Sequence, residues 1–146
     1  MTKDTNFLCP CCSGKPYVNC CEPYHQGTKA SKTALDLMRS RYSAYALNHV
    51  DYIIRTTHPR HPAVSQNLQV WKEEILKFCM NTDFEKLEIV DSKELPDRAT
   101  VVFIAHLKQG DEDATFTERS FFAKVDGSWL YVNGDVFPGA DHSVKL

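Results

Sequence analysis

The sequence predicts an α+β domain behind a small metal-binding head. Three observations carry that reading. Apolar residues recur at helical spacing between Ser31 and Met80, then at every second position from Leu87 onward. The strand-like half is broken by Asp126-Gly127, a two-residue hairpin signal in which both residues suit positive φ. Five of the six cysteines crowd into the opening stretch FLCPCCSGKPYVNCCEPYHQG, at positions 9, 11, 12, 20 and 21. Helices followed by hairpin-joined strands predict a helical layer on a curved antiparallel sheet.

The head is expected over residues 1–28 and the α+β domain over 29–146. A length of 146 residues accommodates one domain and a small appendage. Three chemistries compete for the thiols: a disulfide knot, a redox pair and a metal site. The polar start MTKDTNFL lacks the apolar run of a signal peptide. No stretch approaches the roughly 20 apolar residues of a membrane span. The expected location is therefore cytoplasmic, where thiols stay reduced, and this disfavours the disulfide knot. Cys20 and Cys21 are adjacent, and one planar peptide between them opposes a bridge. Cys9 to Cys12 reads C-x-x-C but lacks the strand before it and the helix after it that a thioredoxin-like site needs. Metal binding is the leading reading, because zinc takes four soft ligands and two close pairs supply them.

The elements follow in order. In SKTALDLMRSRYSAYALNH, Leu35, Met38, Tyr42 and Tyr45 share one helical face. Thr33 and Asp36 resemble a capping box with Asp for Glu. A shorter helix starts near Asp51 and stops by THPRHP, since Pro59 and Pro62 disfavour helix at His58 and His61. In SQNLQVWKEEILKFCM, Leu68, Trp71, Ile75, Phe78 and Cys79 form a stripe. Four strands are expected: LEIVD, ATVVFIAHLKQ, TFTERSFFAKV and SWLYVNGDV, with GDED as a turn. In the second of these, Val101, Phe103, Ala105 and Leu107 face one way, and His106 the other.

The charge balance narrows the function classes. Nineteen acidic residues against seventeen basic ones give a net charge of −2. That opposes attraction of the whole chain to nucleic acid or to a membrane. No phosphate-cradling glycine loop, nucleophile elbow or catalytic triad appears.

The head CPCCSGKPYVNCC resembles a SEC-C motif, the zinc module also found at the tail of the SecA translocation ATPase. Its Cys-x-Cys and Cys-Cys pairs correspond to Cys9, Cys11, Cys20 and Cys21. Further along, CCEPYHQG, LMRSRYSAY, DYIIRTTHP, ERSFF and GSWLYVNG resemble the YchJ-like family of bacterial proteins. The resemblance implies a SEC-C head followed by a nuclear transport factor 2-like cone, three helices packed on a curved sheet. It implies Zn2+ held by those four cysteines. Here Cys12 stands where the motif usually has Gly, and it is a competing ligand. His25, four residues past Cys21, is expected at the surface. Lys15 and the backbone amides near Ser13 and Gly14 are expected to offset the charge of the thiolates.

The cone supplies a second candidate site. Arg119 shares strand parity with Phe121, Ala123 and Val125, which points it toward the interior, where it needs a partner. Asp135, Glu118 or an anionic ligand are the candidates. His58 is expected at the cone mouth. Arg39 and Arg41 lie two apart on the first long helix, so only one of them faces inward. Arg119, His58, Arg39 and Asp135 are the expected ligand residues. Two functions follow. The first is a zinc-binding accessory or adaptor protein whose head contacts a chaperone, translocation or ribosome-related partner. The second is a cone that binds a small polar or anionic ligand, or catalyses on it as a dehydratase or isomerase does.

Overall fold

The computed structural model describes residues 7–146; residues 1–6 of the expected head lie outside the described residues. Within the head, Leu8 pairs with Pro16, and a 3-10 turn at Tyr17–Asn19 leads into α1 (Glu22–Gln26). The sequence reading had no helix here. Pro23 sits in the first turn of α1, where its missing N–H costs nothing.

The first two of the three expected helices start close to where the sequence predicts, and the third starts at Leu68, with Ser65 in a 3-10 turn before it. The Thr33 hydroxyl accepts from the Asp36 amide at 3.0 Å and caps α2 (Ala34–Ala46). The short helix is α3 (Val50–Arg55). Asn67 accepts from the Gln69 and Val70 amides and caps α4 (Leu68–Met80). Trp71, Ile75 and Cys79 of the expected α4 stripe are buried and Phe78 is half-buried, but Leu68 in the first turn is exposed.

The sheet has five strands rather than four: β1 (Asp83–Glu94), β2 (Arg98–Gln109), β3 (Glu112–Asp113), β4 (Phe116–Val125) and β5 (Ser128–Pro138). The extra strand is two residues of GDED that pair back on β2. All pairings are antiparallel in the order β1-β2-β4-β5. Asp126 and Gly127 take φ of 50° and 82°, and these join β4 to β5 in a two-residue hairpin.

Val101, Phe103, Ala105 and Leu107 of β2 face the helices and fill the main core. Val102 and Ile104 on the other face are also fully buried. The C-terminal tail accounts for this, because it lies along the outer face of the sheet. The Thr117 hydroxyl donates to Gly139 O at 2.8 Å and accepts from the Asp141 amide at 2.9 Å. His142 reaches Glu88 on β1 at 2.6 Å, and Val144 is buried.

β4 turns the opposite way from the expectation. Glu118, Ser120 and Phe122 face the interior, and Arg119 faces out. Adjacent phenylalanines at 121 and 122 place one on each face, so apolar content alone does not fix the parity. The tail fixes it, by drawing Thr117 and Arg119 to the outside.

A second buried cluster of Cys9, Cys11, Cys21 and Tyr17 sits in the head, packed against Leu47 at the end of α2. Among the described residues, no helix is long and apolar enough to cross a membrane.

Candidate metal centre and cone cavity

The head brings four sulfurs together. The Sγ atoms of Cys9, Cys11, Cys20 and Cys21 all lie within 4.8 Å of one another. Cys11 and Cys20 are 3.5 Å apart, and Cys20 and Cys21 are 3.9 Å apart. A tetrahedral metal with Zn–S bonds of about 2.3 Å separates its sulfurs by about 3.8 Å. The donor set therefore fits a soft divalent cation. The 3-10 turn and the start of α1 make this possible, because they turn the chain between Tyr17 and Cys21 back onto Cys9 and Cys11.

Thiol electrostatics agree. Hydrogen bonds from Cys21, then Cys9, hold the Cys11 thiol far below the usual range. The hydrogen bond with Cys11 pushes Cys9 up to about 12 and Cys21 higher still. The metal-free cluster thus favours one thiolate and opposes more. A divalent cation at the centre removes that opposition. The Ser13 hydroxyl touches the Cys20 sulfur at 3.1 Å, and Arg39 donates to Cys11 O at 2.8 Å. Arg39 supplies the nearby positive charge that the sequence reading gave to Lys15, which is exposed.

Cys12 stands apart from the four. Its φ is 66°, a left-handed conformation that explains why the motif usually has Gly there. Its sulfur accepts from the Leu87 amide on β1 at 3.4 Å, so this fifth thiol ties the head to the sheet.

His25 departs from its expected surface position: it is 7% exposed. Its Nε2 donates to Ser40 O at 2.8 Å, so its Nδ1 accepts from the Tyr17 hydroxyl at 2.6 Å. The Tyr17 oxygen in turn accepts from His49 Nε2 at 3.2 Å. Burial lowers the His25 pKa to about 4, which keeps the ring neutral and this donor order fixed.

The second site is a cavity of about 510 Å³ between the helices and the sheet. Its wall is mainly aromatic, and exposed Gln66, Glu74 and Val136 form its rim. Arg41, 8% exposed, enters from α2. Its Nη1 donates to Ile53 O at 3.0 Å, Thr56 Oγ1 at 2.7 Å and Thr57 Oγ1 at 3.2 Å. Its guanidinium carbon lies 4.7 Å from the centre of the Tyr131 ring. The Tyr131 hydroxyl donates to Glu118 Oε2 at 2.9 Å, and Ser120 donates to the same oxygen. Burial, then the Glu118 charge, push the Tyr131 phenol up, so it remains a donor. Gly134 on β5 makes room for this carboxylate, since a Cβ there would come within 2.5 Å of Glu118 Oε2.

The model of the YchJ middle, NTF2-like domain matches residues 33–134, which covers the helical layer and most of the sheet. The chain belongs to the YchJ family. A UPF0225 protein of Actinobacillus succinogenes is 39% identical over 138 residues, covering 92% of this chain and 86% of the relative. A UPF0225 protein of Serratia proteamaculans is 40% identical over 131 residues, covering 87% and 82%. The solution structure of a SEC-C motif containing protein from Rhodopseudomonas palustris is 35% identical with a TM-score of 0.78, covering 88% of this chain and 98% of that one. A crystal structure of a SEC-C motif containing protein from Psychrobacter arcticus is 29% identical with a TM-score of 0.74, covering 94% and 86%.

On this YchJ scaffold the four expected pocket residues do not converge. Arg119 meets Asp135 at 2.9 Å, the partner first named for it, but on the outer face. It also donates to Lys145 O and lies against the Phe137 ring. His58 is half-buried and accepts from the Arg60 amide, and it is not on the cavity wall. Arg39 faces the head, so Arg41 is the inward one of the pair. Ser120 and Tyr131 were missed as site residues. Gly134 was the available signal, a glycine inside a strand pattern where another backbone or side chain comes close.

Proposed function

We propose that this YchJ-family protein is a small-molecule binder whose head is stapled by one Zn2+. The observation that carries the binding reading is the cone cavity, which presents a buried cation and a positioned carboxylate on an aromatic wall. The Ser120 and Tyr131 hydroxyls both donate to Glu118 Oε2 and fix its orientation, which suits a group that anchors a hydrogen-bond donor. Cys9, Cys11, Cys20 and Cys21 would hold the zinc, and four sulfur ligands leave no open position for reaction. Its chemistry there is structural.

A nuclear magnetic resonance screen of the zinc-loaded chain with small aromatic fragments tests the binding reading. Amides of Phe103, Phe122 and Tyr131 are expected to shift. Shifts confined to the outer sheet face would sink the idea. Elemental analysis tests the metal. One zinc per chain is expected for the wild type and for Cys12→Gly, and a clear loss for Cys20→Ser.

A second reading keeps the head as a protein-contact surface, the adaptor role expected from its motif, with a chaperone, translocation or ribosome-related partner. Leu8, 65% exposed beside the cysteine cluster, favours it. Under it, Leu8→Asp should keep its zinc and lose a partner that the intact chain retains.

A further inference from the structure

We infer that the cone's ligand is a small aromatic or aliphatic carboxylic acid that also carries a hydrogen-bond donor, held by Arg41 at one pole and Glu118 at the other. This rests on the binding reading above and narrows it to a chemical class.

Arg41 is the starting point. A guanidinium that is 8% exposed is costly without an anion, yet no carboxylate lies within ion-pair distance of it among the described residues. Three neutral acceptors, all on the α3 end and the turn after it, use its Nη1 alone. They fix the Nη1 end of the fork, and the guanidinium lines the cavity with Tyr45 beside it. A carboxylate matches that geometry.

Glu118 sets the other pole. Its Oε2 is occupied by Ser120 and Tyr131, and Oε1 has no hydrogen-bond partner among the described residues. Tyr131 stands between the poles, with its ring under Arg41 and its hydroxyl on Glu118. The two charges therefore do not neutralise each other directly. A molecule that spans them completes both.

The rest of the wall excludes alternatives. Phe84, Phe103, Phe116 and Phe122 offer apolar area and no donors for a phosphate dianion, and the Glu118 charge opposes one. A cationic amine would meet Arg41. A single carboxylate on an apolar body with one hydroxyl or other neutral donor is the chemistry that fits.

Four probes on the full zinc-loaded chain test this: para-hydroxyphenylacetate, phenylacetate, para-cresol and tyramine, titrated by nuclear magnetic resonance. The expected order is para-hydroxyphenylacetate tightest, phenylacetate next, para-cresol and tyramine roughly tenfold or more weaker. Glu118→Gln should cut the advantage of para-hydroxyphenylacetate over phenylacetate. Arg41→Met should cut the advantage of either acid over para-cresol. If Arg41→Met does not fold, the wild-type order and Glu118→Gln still decide. Binding of para-cresol or tyramine as tight as the acids overturns the assigned class and leaves a cavity that binds small molecules. Absence of cavity shifts with all four probes overturns the binding reading itself.

Discussion

His25 shows how one side chain can join two parts of a chain. It follows the cysteine pair by four residues, and a histidine at that spacing reads from sequence as a spare ligand or a surface group. In the fold it takes one hydrogen bond from Tyr17 of the head and gives one to Ser40 of α2. Truncation would remove the 2.6 Å acceptor of the Tyr17 hydroxyl and the 2.8 Å donor to Ser40 O, leaving each with a longer bond only, to His49 and Ser43, and would open a void beside Tyr52. His25→Ala is expected to lower stability by about 2–4 kcal/mol in a chemical melt. His25→Gln should recover part of that, because its amide offers both a donor and an acceptor. A melt of His25→Ala indistinguishable from the wild type would mean the junction contributes nothing. The grouping of the four cysteines was legible because they lie within thirteen residues, with the SEC-C resemblance choosing the adjacent pair Cys20 and Cys21. His25 was not, since its burial depends on Ser40 and Ser43 of α2, fifteen and eighteen residues away.

At the scale of elements, local signals placed helix starts and hairpins, while long-range contacts set the strand faces. Thr33 and Asn67 cap their helices by bonds to amides two or three residues on, and such bonds are written in the sequence. The parity of β4 is not. Period two says that Arg119 and Phe121 share a face, but only the tail decides which face. That is why the expected pocket residues Arg119 and Asp135 form an outer ion pair, while Glu118, weighed as a partner for Arg119, sits in the cavity. The tail itself gave no pattern, being short and irregular. Its clamp has a predicted pH dependence. Hydrogen bonds from His142 of the tail and then His106 of β2 hold Glu88 of β1 below its ordinary carboxylate pKa. A depressed folded pKa means the contribution is complete above the unfolded value near 4.5 and fades as pH falls through the folded one. The exchange protection of the Asp141 amide, which donates to Thr117 Oγ1, should therefore fall in acid, after correction for the intrinsic rate, before the central strand β2 opens. Glu88→Gln should show the faster exchange already at neutral pH. Equal exchange in both proteins across that range would remove Glu88 from the clamp.

For the whole molecule, α2 is the element that both sites share. Arg39 and Ser40 on it bind the head, and Arg41 and Tyr45 line the cavity. The head reaches the cone by a second route, through Cys12 and the Leu87 amide on β1. Metal binding is expected to be folding free energy for the cysteine cluster, which has little apolar core of its own. The cone has a separate and larger core, and Tyr24 of α1 already belongs to it. Chelation should therefore release residues 7–20 and leave α1 and the cone folded. Tyr17 would leave His25 in that event, so the main thermal transition should fall by roughly 3–8 °C rather than vanish. Scanning calorimetry of the loaded and chelated chain measures the fall, and hydrogen exchange maps where protection is lost. Loss of the cone transition on chelation would make head and cone one folding unit. An unchanged transition with an exchange-protected head would mean that the fold of residues 7–20 does not depend on the metal. The expected result lies between these, because the contacts that cross the junction run through Tyr17, Arg39 and Cys12, and each cone partner of theirs is anchored elsewhere in the core.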